Sequence, residues 1–264
     1  MSYFEAIILA IIEGLTEFLP VSSTGHMIIG TALMGMEPTA FVKLFTIVIQ
    51  LGTILSVLVL YWKRFFRSMD FYYKLAVAAI PASILGLLLN DFIDSLLESP
   101  LMVAIMLVIG GVVLLFVDQW FNKPAIDNSD DISFKQAFVI GCYQCLALLP
   151  GTSRSASTIV GAMTQKLNRK AAAEFSFFLA LPMMFGASLI KLVKFFKEGH
   201  TFTGEEINLL IVGNVVGFIV AIIAIKFFIG VLTKYGFKAF GWYRIVVGTV
   251  IIVMLLSGHS LQMI

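Results

Sequence analysis

The chain has 264 residues, of which 59% are hydrophobic and 13% charged, and its net charge is +2. Soluble domains carry about 25% charged residues, so this composition, with a mean hydropathy of +0.99, excludes a water-soluble protein. Apolar runs recur along the chain, and they approach the roughly 20 residues that a helix needs to cross a bilayer core of about 30 Å.

The first segment, residues 3–34, is apolar but broken. Leu-Pro-Val-Ser-Ser-Thr-Gly-His interrupts it at 19–26, and neither flank is long enough to span a membrane alone. A second segment of this kind covers 134–165 and is interrupted by Leu-Pro-Gly-Thr-Ser-Arg-Ser at 149–155. Because non-helical backbone persists at membrane depth only inside protein or beside water, each segment predicts a re-entrant helix–loop–helix that enters and leaves the membrane on one side.

Uninterrupted apolar runs follow each broken segment and predict three transmembrane helices in each half of the chain. In chain order, the predicted helices cover 41–62, 75–90, 101–121, 172–193, 207–233 and 242–257. The linker 122–133 separates the first half, residues 1–121, from the second half, residues 134–264.

The two halves resemble each other at an offset of 130 residues, which pairs Pro20 with Pro150 and Ser23 with Ser153. A constant offset between two similar segments indicates an internal repeat. Since three helices follow each re-entrant segment, the second half begins on the opposite face of the membrane. The predicted fold is therefore an all-α integral membrane protein with two inverted-topology repeats, and such repeats bind substrates where they meet near the midplane.

Basic residues distinguish the two faces of this predicted topology. One face carries twelve Lys and Arg residues, which are Lys63, Arg64, Arg67, Lys74, Lys123, Lys135, Lys166, Arg169, Lys170, Lys226, Lys234 and Lys238. The other face carries four, which are Lys43, Lys191, Lys194 and Lys197. The positive-inside rule identifies the first face as cytoplasmic, so both termini are expected outside.

Four ionisable side chains lie inside the broken segments at membrane depth, where charges are costly and usually functional; they are Glu13, Glu17, His26 and Arg154. Glu13 and Glu17 are four residues apart and share a helix face that leads into the loop with Ser23 and His26. Arg154 lies in the second loop. The hydroxyl-bearing residues beside these charges are Ser22, Ser23, Thr24, Thr152, Ser153, Ser155 and Thr158.

These residue types suit a diphosphate. An arginine matches phosphate oxygens with a planar fork of donors, and hydroxyls and free N–H groups at a helix N-terminus attract an anion. Because the carboxylates of Glu13 and Glu17 would repel a bare diphosphate, a divalent cation, Mg²⁺ or Ca²⁺, is expected between them and the ligand. His26 can exchange a proton near neutral pH, and Ser23 can attack phosphorus if a base is adjacent.

Each of these residues also has a structural alternative. Arg154 could form an ion pair with Glu13 or Glu17 that only holds the fold together. His26 could bridge the loop backbone, and the hydroxyls could cap helices. All these alternatives would have to hold at once to remove the functional interpretation, because the polar groups are concentrated in two matching loops.

The stretch Glu13-Gly-Leu-Thr-Glu-Phe-Leu-Pro-Val-Ser-Ser-Thr-Gly-His26 resembles the first signature of the undecaprenyl-diphosphate phosphatases of the bacitracin-resistance type. Pro150-Gly-Thr-Ser-Arg-Ser-Ala-Ser-Thr158 resembles the second signature, and Gln50-Leu-Gly is similar to the same family. The resemblance covers essentially the whole chain, including the order of the two broken segments.

This resemblance implies hydrolysis of undecaprenyl diphosphate to undecaprenyl phosphate, which recycles the lipid carrier for peptidoglycan synthesis. It also implies a divalent cation, the bacterial cytoplasmic membrane and a site open to the outer face. The implied partners are the polyprenyl diphosphate and membrane lipids, with no nucleic acid, and self-association into a homo-oligomer is left open. The expected residues are Glu17, Ser23, His26 and Arg154 for catalysis, Ser22, Thr24, Gln50, Thr152, Ser153, Ser155 and Thr158 for substrate binding, and Glu13 and Glu17 for the metal.

Two other functions fit the residues of the two loops less well. A secondary transporter or flippase for a polyprenyl phosphate shares the architecture, but it does not need a nucleophile and an acid–base group in one stretch, as Ser23 and His26 are here. An ion channel would line its pore with rings of charge or carbonyls, which these compact loops do not suggest. The attacking group stays open among Ser23, His26 and an activated water.

The charge count generates a topology prediction. Single cysteines at Ser68 and Ser260, placed in a background without Cys142 and Cys145, report the two faces of the membrane. An impermeant thiol reagent added to intact cells is expected to label Ser260→Cys and to leave Ser68→Cys unlabelled, because loop 63–74 is predicted to be cytoplasmic. The reverse labelling pattern would invert the topology.

Overall fold

The computed structural model describes residues 1–66, 69–89, 92, 93, 96, 99–258 and 261. The labelling positions Ser68 and Ser260, and residue 90 at the end of one predicted helix, lie outside these described residues. Within them, the α-helices in chain order are α1 Tyr3–Thr16, α2 Ser23–Leu33, α3 Ala40–Leu60, α4 Met69–Leu88, α5 Pro100–Trp120, α6 Phe134–Gln144, α7 Arg154–Thr164, α8 Arg169–Lys197, α9 Gly204–Tyr235 and α10 Lys238–Leu256.

Three short 3₁₀ helices complete the regular structure of the described residues. They are Trp62–Phe66, Ser129–Asp131 and Cys145–Leu148. The described residues contain an isolated β-bridge between Ile126 and Leu167 and no longer strand. The chain is thus an all-α protein in the part that the structure describes.

The six predicted transmembrane helices are confirmed as long apolar helices: α3, α4, α5, α8, α9 and α10 each have the length and composition to cross a membrane. α4 begins at Met69, earlier than the predicted residue 75. Its polar start is stabilised because Lys74 Nζ donates a hydrogen bond to the Asp130 carbonyl at 3.0 Å and pairs with Asp70. With its charge satisfied, Lys74 no longer marks a helix boundary.

The helices expose apolar side chains on their outer faces. On α9, for example, Ile211, Ile219 and Phe227 are exposed by more than half. In water this much exposed apolar surface would drive aggregation, whereas in a bilayer it faces lipid. The fold is that of an integral membrane protein.

The two broken segments have the same local architecture. α1 and α6 both begin with a capping box, in which Ser2 exchanges hydrogen bonds with Glu5 and Ser133 does the same with Gln136. Such a box satisfies two free backbone donors at a helix start. α2 and α7 both have 11 residues and follow a serine with positive φ.

This geometry corrects the predicted register by one residue. Ser2 and Ser133 are 131 positions apart, and so are the positive-φ residues Ser22 and Ser153. The offset of 130, which paired Ser153 with Ser23, is therefore wrong for the broken segments. The shared prolines misled the sequence comparison, because the residue equivalent to Pro20 by position in the loop is Gly151.

Close helix contacts fix the broken segments against the spanning helices. α1 packs against α9, α6 packs against α4, and α5 packs against α10 along their length. At Gly141 on α6, an added Cβ would lie 2.2 Å from the Ala78 carbonyl oxygen of α4. Only glycine allows this approach, since small residues set how closely membrane helices pack.

Three phenylalanines pack the first loop against α8 and α9. Phe18 packs edge-on against Phe177 of α8, with ring centroids 5.3 Å apart, and Phe177 lies 6.1 Å from Phe228 of α9. All three side chains are fully buried. The loop after α1 is therefore anchored to the bundle beside the polar residues that follow.

Candidate active site

Two loops of similar shape form the site, one between α1 and α2 and the other between α6 and α7. Ser22 has a φ of 70° and Ser153 a φ of 74°, a left-handed conformation that residues other than glycine rarely adopt. Each serine turns the chain directly into a helix, so α2 begins at Ser23 and α7 at Arg154. The first N–H groups of these helices have no intrahelical partner and attract an anion.

Each positive-φ serine is held by the side chain four residues further on. The Ser22 carbonyl lies 2.8 Å from His26 Nδ1, and the Ser153 carbonyl accepts a hydrogen bond from Ser157 Oγ at 3.0 Å. The strained turns are thus stabilised in the same way in both loops.

Glu17, Ser23 and Arg154 are in direct contact and are called the Glu17 centre below. Arg154 Nη2 donates a hydrogen bond to Glu17 Oε1 at 2.9 Å, and Ser23 Oγ donates to Glu17 Oε2 at 2.7 Å. The Glu17 side chain is 8% exposed and the Arg154 side chain 15%. One carboxylate therefore joins a hydroxyl from the first loop to a guanidinium from the second, and water has little access to the ion pair.

Arg154 is oriented by α8 as well as by Glu17. Its Nη1 donates to the Ser176 carbonyl at 2.9 Å, and its guanidinium lies over the Phe18 ring, 5.8 Å from the centroid. Its Nε is buried and has no hydrogen-bond partner among the described residues. The guanidinium is fixed in place and keeps one N–H donor free.

Other predicted hydroxyls support this arrangement from inside the protein. Ser155 Oγ donates to the Phe18 carbonyl at 2.7 Å, and Thr158 Oγ1 lies 2.6 Å from Ser176 Oγ. Ser155, Thr158 and Ser176 are fully buried, and the Ser153 side chain caps α7. These contacts tie the second loop to the first loop and to α8.

Several buried polar atoms near the loops have no hydrogen-bond partner among the residues that the structure describes. Glu13 is 1% exposed and its Oε1 accepts no hydrogen bond, and the Gln144 amide and Thr152 Oγ1 are also unpartnered. Buried polar atoms without partners are rare and usually contact water, an ion or a ligand. In the described part of the chain, no group of three or more His, Cys, Asp or Glu residues is placed to hold a metal ion.

The other predicted residues are Ser22, Thr24 and Gln50. Ser22 is buried and contributes its carbonyl to His26. Thr24 is half-buried at the start of α2. Gln50 is half-buried in α3, and within the described residues the structure gives its side chain no hydrogen bond to the Glu17 centre. The structure therefore brings Glu17, Ser23 and Arg154 together and leaves Gln50 unconnected to them.

Two residues of α10 contact the loops and were missed by the sequence analysis. The Tyr243 hydroxyl lies 2.7 Å from His26 Nε2. Arg244 is fully buried and reaches both loops. Arg244 carries a recognisable signal, because a lone arginine inside the predicted helix 242–257 is a charge at membrane depth. Tyr243 carries none, since an exposed tyrosine near a helix end is common in membrane proteins.

The Arg244 guanidinium joins the two loops through their backbone. Nη1 donates to the Pro20 carbonyl at 3.2 Å, and Nη2 donates to the Gly151 carbonyl at 2.9 Å, the two positions related by the 131-residue offset. Further donations reach the carbonyls of Thr152 at 2.9 Å, Met106 at 3.1 Å and Leu107 at 3.3 Å. A single guanidinium thus satisfies carbonyls of both loops, which a broken helix leaves unpaired, and also contacts two carbonyls inside α5.

The space for Arg244 depends on a glycine of α5. At Gly110, an added Cβ would lie 2.3 Å from Arg244 Nη2. Any larger residue at this position would displace the guanidinium from the loop carbonyls.

The sequence matches the family described as Bacitracin resistance protein BacA over residues 6–250. The chain belongs to this family. A relative from Flavobacterium johnsoniae is 57% identical over 265 residues, and one from Flavobacterium psychrophilum is 58% identical over 264 residues, each covering 100% of both chains. A relative from Porphyromonas gingivalis is 55% identical and covers 99% of both chains. All three are named undecaprenyl-diphosphatase.

The matched region includes the whole site. Residues 6–250 contain both loops, from Glu13 to Thr158, and the two α10 residues Tyr243 and Arg244. The family match therefore supports the resemblance that both signatures indicated. It also includes the part of α10 that holds Tyr243 and Arg244.

Replacing Arg244 by methionine should lower the stability of the protein. Arg244→Met leaves buried carbonyls unpaired at a cost of about 1–3 kcal/mol each, so we expect the melting midpoint in detergent to fall by roughly 10 °C or more. Lys43→Met, at an exposed position of α3, is the control and should change the midpoint much less. Equal melting midpoints for Arg244→Met and the unaltered protein would contradict a structural role for Arg244.

Proposed function

We propose that this chain hydrolyses undecaprenyl diphosphate to undecaprenyl phosphate and inorganic phosphate at the Glu17 centre. The observation that carries the proposal is the contact of the Ser23 hydroxyl and the Arg154 guanidinium with one carboxylate. A hydroxyl nucleophile, an adjacent base and a phosphate-binding cation are the groups that phosphoryl transfer needs. The family and the names of the three relatives support the substrate.

In the proposed reaction, Ser23 Oγ attacks the terminal phosphorus and Glu17 accepts the hydroxyl proton. The bond between that phosphorus and the bridging oxygen breaks, and undecaprenyl phosphate leaves. Water then cleaves the serine phosphoester, which releases inorganic phosphate and restores the hydroxyl. The supporting geometry is the 2.7 Å hydrogen bond from Ser23 to Glu17. His26 and an activated water are the alternative attacking groups.

Arg154 binds the diphosphate and stabilises the charge that develops as the bond breaks. Its free Nε–H is the donor left for a phosphate oxygen, while Ser176 and Glu17 hold the guanidinium in place. Fixed donors aimed at developing charge are usually the largest contribution to catalysis. The N-termini of α2 and α7, with Ser22, Thr24, Thr152 and Ser153 around them, are proposed to contact the same anion.

A divalent cation, Mg²⁺ or Ca²⁺, is proposed at Glu13 and Glu17. The unpartnered and buried Oε1 of Glu13 fits this assignment, because carboxylate oxygens are the ligands that both cations prefer. The cation would neutralise charge on the diphosphate, which two carboxylates would otherwise repel. Ser155 and Thr158 are proposed to act indirectly by fixing the second loop, and Gln50 is kept as a weaker candidate for substrate contact.

The proposed topology places this chemistry at the outer face of the bacterial cytoplasmic membrane. The two broken segments are proposed to be re-entrant and to belong to inverted repeats, 1–121 and 134–264, with both termini outside. The pairing of α1 with α9 and of α6 with α4, each a broken-segment helix against a spanning helix of the other half, supports this arrangement.

A measurement of phosphate release distinguishes a phosphatase from a transporter or flippase. The protein purified in detergent is expected to release phosphate from undecaprenyl diphosphate, and Arg154→Ala should lower the rate by about 10²–10³. Arg154→Lys should recover only part of it, because an ammonium cannot form the planar fork. Arg169→Lys is the matched control, since Arg169 pairs with Asp118 away from the site. Absence of phosphate release from folded protein would favour a transporter or flippase instead.

Ser23 can be tested as the nucleophile with labelled substrate. If a phosphoserine forms, rapid quench should trap labelled phosphate on Ser23, and Ser23→Ala should lose far more rate than substrate affinity. If the hydroxyl only binds phosphate, affinity and rate should fall together by roughly 1.5–3 kcal/mol. Ser83→Ala, on α4, serves as the control. Fast turnover by Ser23→Ala without a trapped phosphoenzyme would leave His26 or water as the attacking group.

A further inference from the structure

Both ring nitrogens of His26 have a partner. Nδ1 lies 2.8 Å from the Ser22 carbonyl oxygen, and Nε2 lies 2.7 Å from the Tyr243 hydroxyl oxygen. The first partner belongs to the same helix start, whereas the second comes from α10, at the far end of the sequence. Tyr243 is therefore the residue that reaches the imidazole from outside its own loop.

The partners determine which nitrogen carries the proton in the neutral ring. A carbonyl oxygen only accepts hydrogen bonds, so Nδ1 must be the protonated nitrogen and must donate to Ser22. Nε2 is then the acceptor, and the Tyr243 hydroxyl donates to it. Nε2 is consequently the nitrogen of His26 that can accept a proton at the site, and it can donate that proton again only after it has become protonated.

Tyr243 is well placed to fix the direction of this nitrogen. Its ring stacks on the imidazole, with centroids 5.5 Å apart and planes 10° from parallel. The next residue along α10 is Arg244, which is fully buried and bound to both loops. Tyr243 is thus the sequence neighbour of the arginine that binds both loops. Tyr243 itself is 47% exposed and accessible to a ligand.

We propose that Tyr243 is a positioning residue for His26: the Tyr243 hydroxyl donates to Nε2 and fixes its orientation until a substrate oxygen that carries a proton, or a water, takes the place of the hydroxyl. This inference rests on the proposed phosphatase function. Tyr243 acts through His26 in this proposal, not on phosphorus directly. Tyr243→Phe removes the hydroxyl and keeps the ring that stacks on the imidazole, so it isolates the hydrogen bond from the packing.

A double-mutant cycle tests whether Tyr243 acts through His26. Tyr243→Phe is expected to lower kcat about tenfold, the effect of one functional hydrogen bond, with less than about a twofold change in KM. In a His26→Gln background the same substitution should have no further effect, because residues that act together are not additive. Tyr235→Phe, at the exposed end of α9, is the matched control and should leave kcat unchanged.

Three outcomes of this cycle overturn the proposal. One is a tenfold loss of the same size in both backgrounds, which would make Tyr243 a structural residue independent of His26. Another is wild-type kcat in Tyr243→Phe. The third is full activity of His26→Gln alone, which would show that His26 exchanges no proton with the substrate and needs no positioning residue. Phosphate release and the Ser23 quench still test the phosphatase function separately.

A chemical probe reports the contact without relying on turnover. Diethyl pyrocarbonate modifies an unprotonated imidazole nitrogen, and the Tyr243 hydroxyl covers Nε2 of His26. Peptide mass spectrometry should show faster modification of His26 in Tyr243→Phe than in the unaltered protein, with His200 modified at the same rate in both. Equal rates at His26 would contradict the hydrogen bond itself, whatever the activity of the variants.

Discussion

The arrangement of the site depends on how unpaired backbone groups are satisfied inside an apolar protein. A helix that breaks in a membrane leaves carbonyls without partners, and no water is present to replace them. Arg244 meets this requirement with five hydrogen bonds to carbonyls of both loops and of α5. Because the carbonyls disperse its charge, the guanidinium can be fully buried although no carboxylate among the described residues pairs with it.

Once the two loops are joined by their backbones, their side chains meet at a fixed distance. Glu17 from the first loop and Arg154 from the second form the 2.9 Å ion pair, which one loop alone could not make. A buried ion pair contributes little net stability, because desolvation of both charges offsets their attraction. The ion pair instead fixes positions, because it keeps the Glu17 carboxylate beside the Ser23 hydroxyl and the Arg154 guanidinium beside both.

Sequence predicted the parts of this protein that depend on local pattern. The six spanning helices, the two broken segments and the family followed from apolar length and from two long motifs. The register between the halves was wrong by one residue, because matching Pro20 to Pro150 ignores where each helix restarts, at Ser23 and Arg154. The contact of Tyr243 with His26 could not be predicted, since the two residues are 217 positions apart and no sequence pattern links them.

The corrected register explains why two similar loops make one site and not two. Positions related by 131 residues keep the backbone the same but differ in chemistry: Ser23 corresponds to Arg154, and His26 to Ser157. The first loop supplies the hydroxyl and the imidazole, and the second supplies the guanidinium. If position 23 also held an arginine, its positive charge would repel that of Arg154, and the hydroxyl that contacts Glu17 would be lost. The proposed function therefore depends on different side chains at equivalent positions of the two loops.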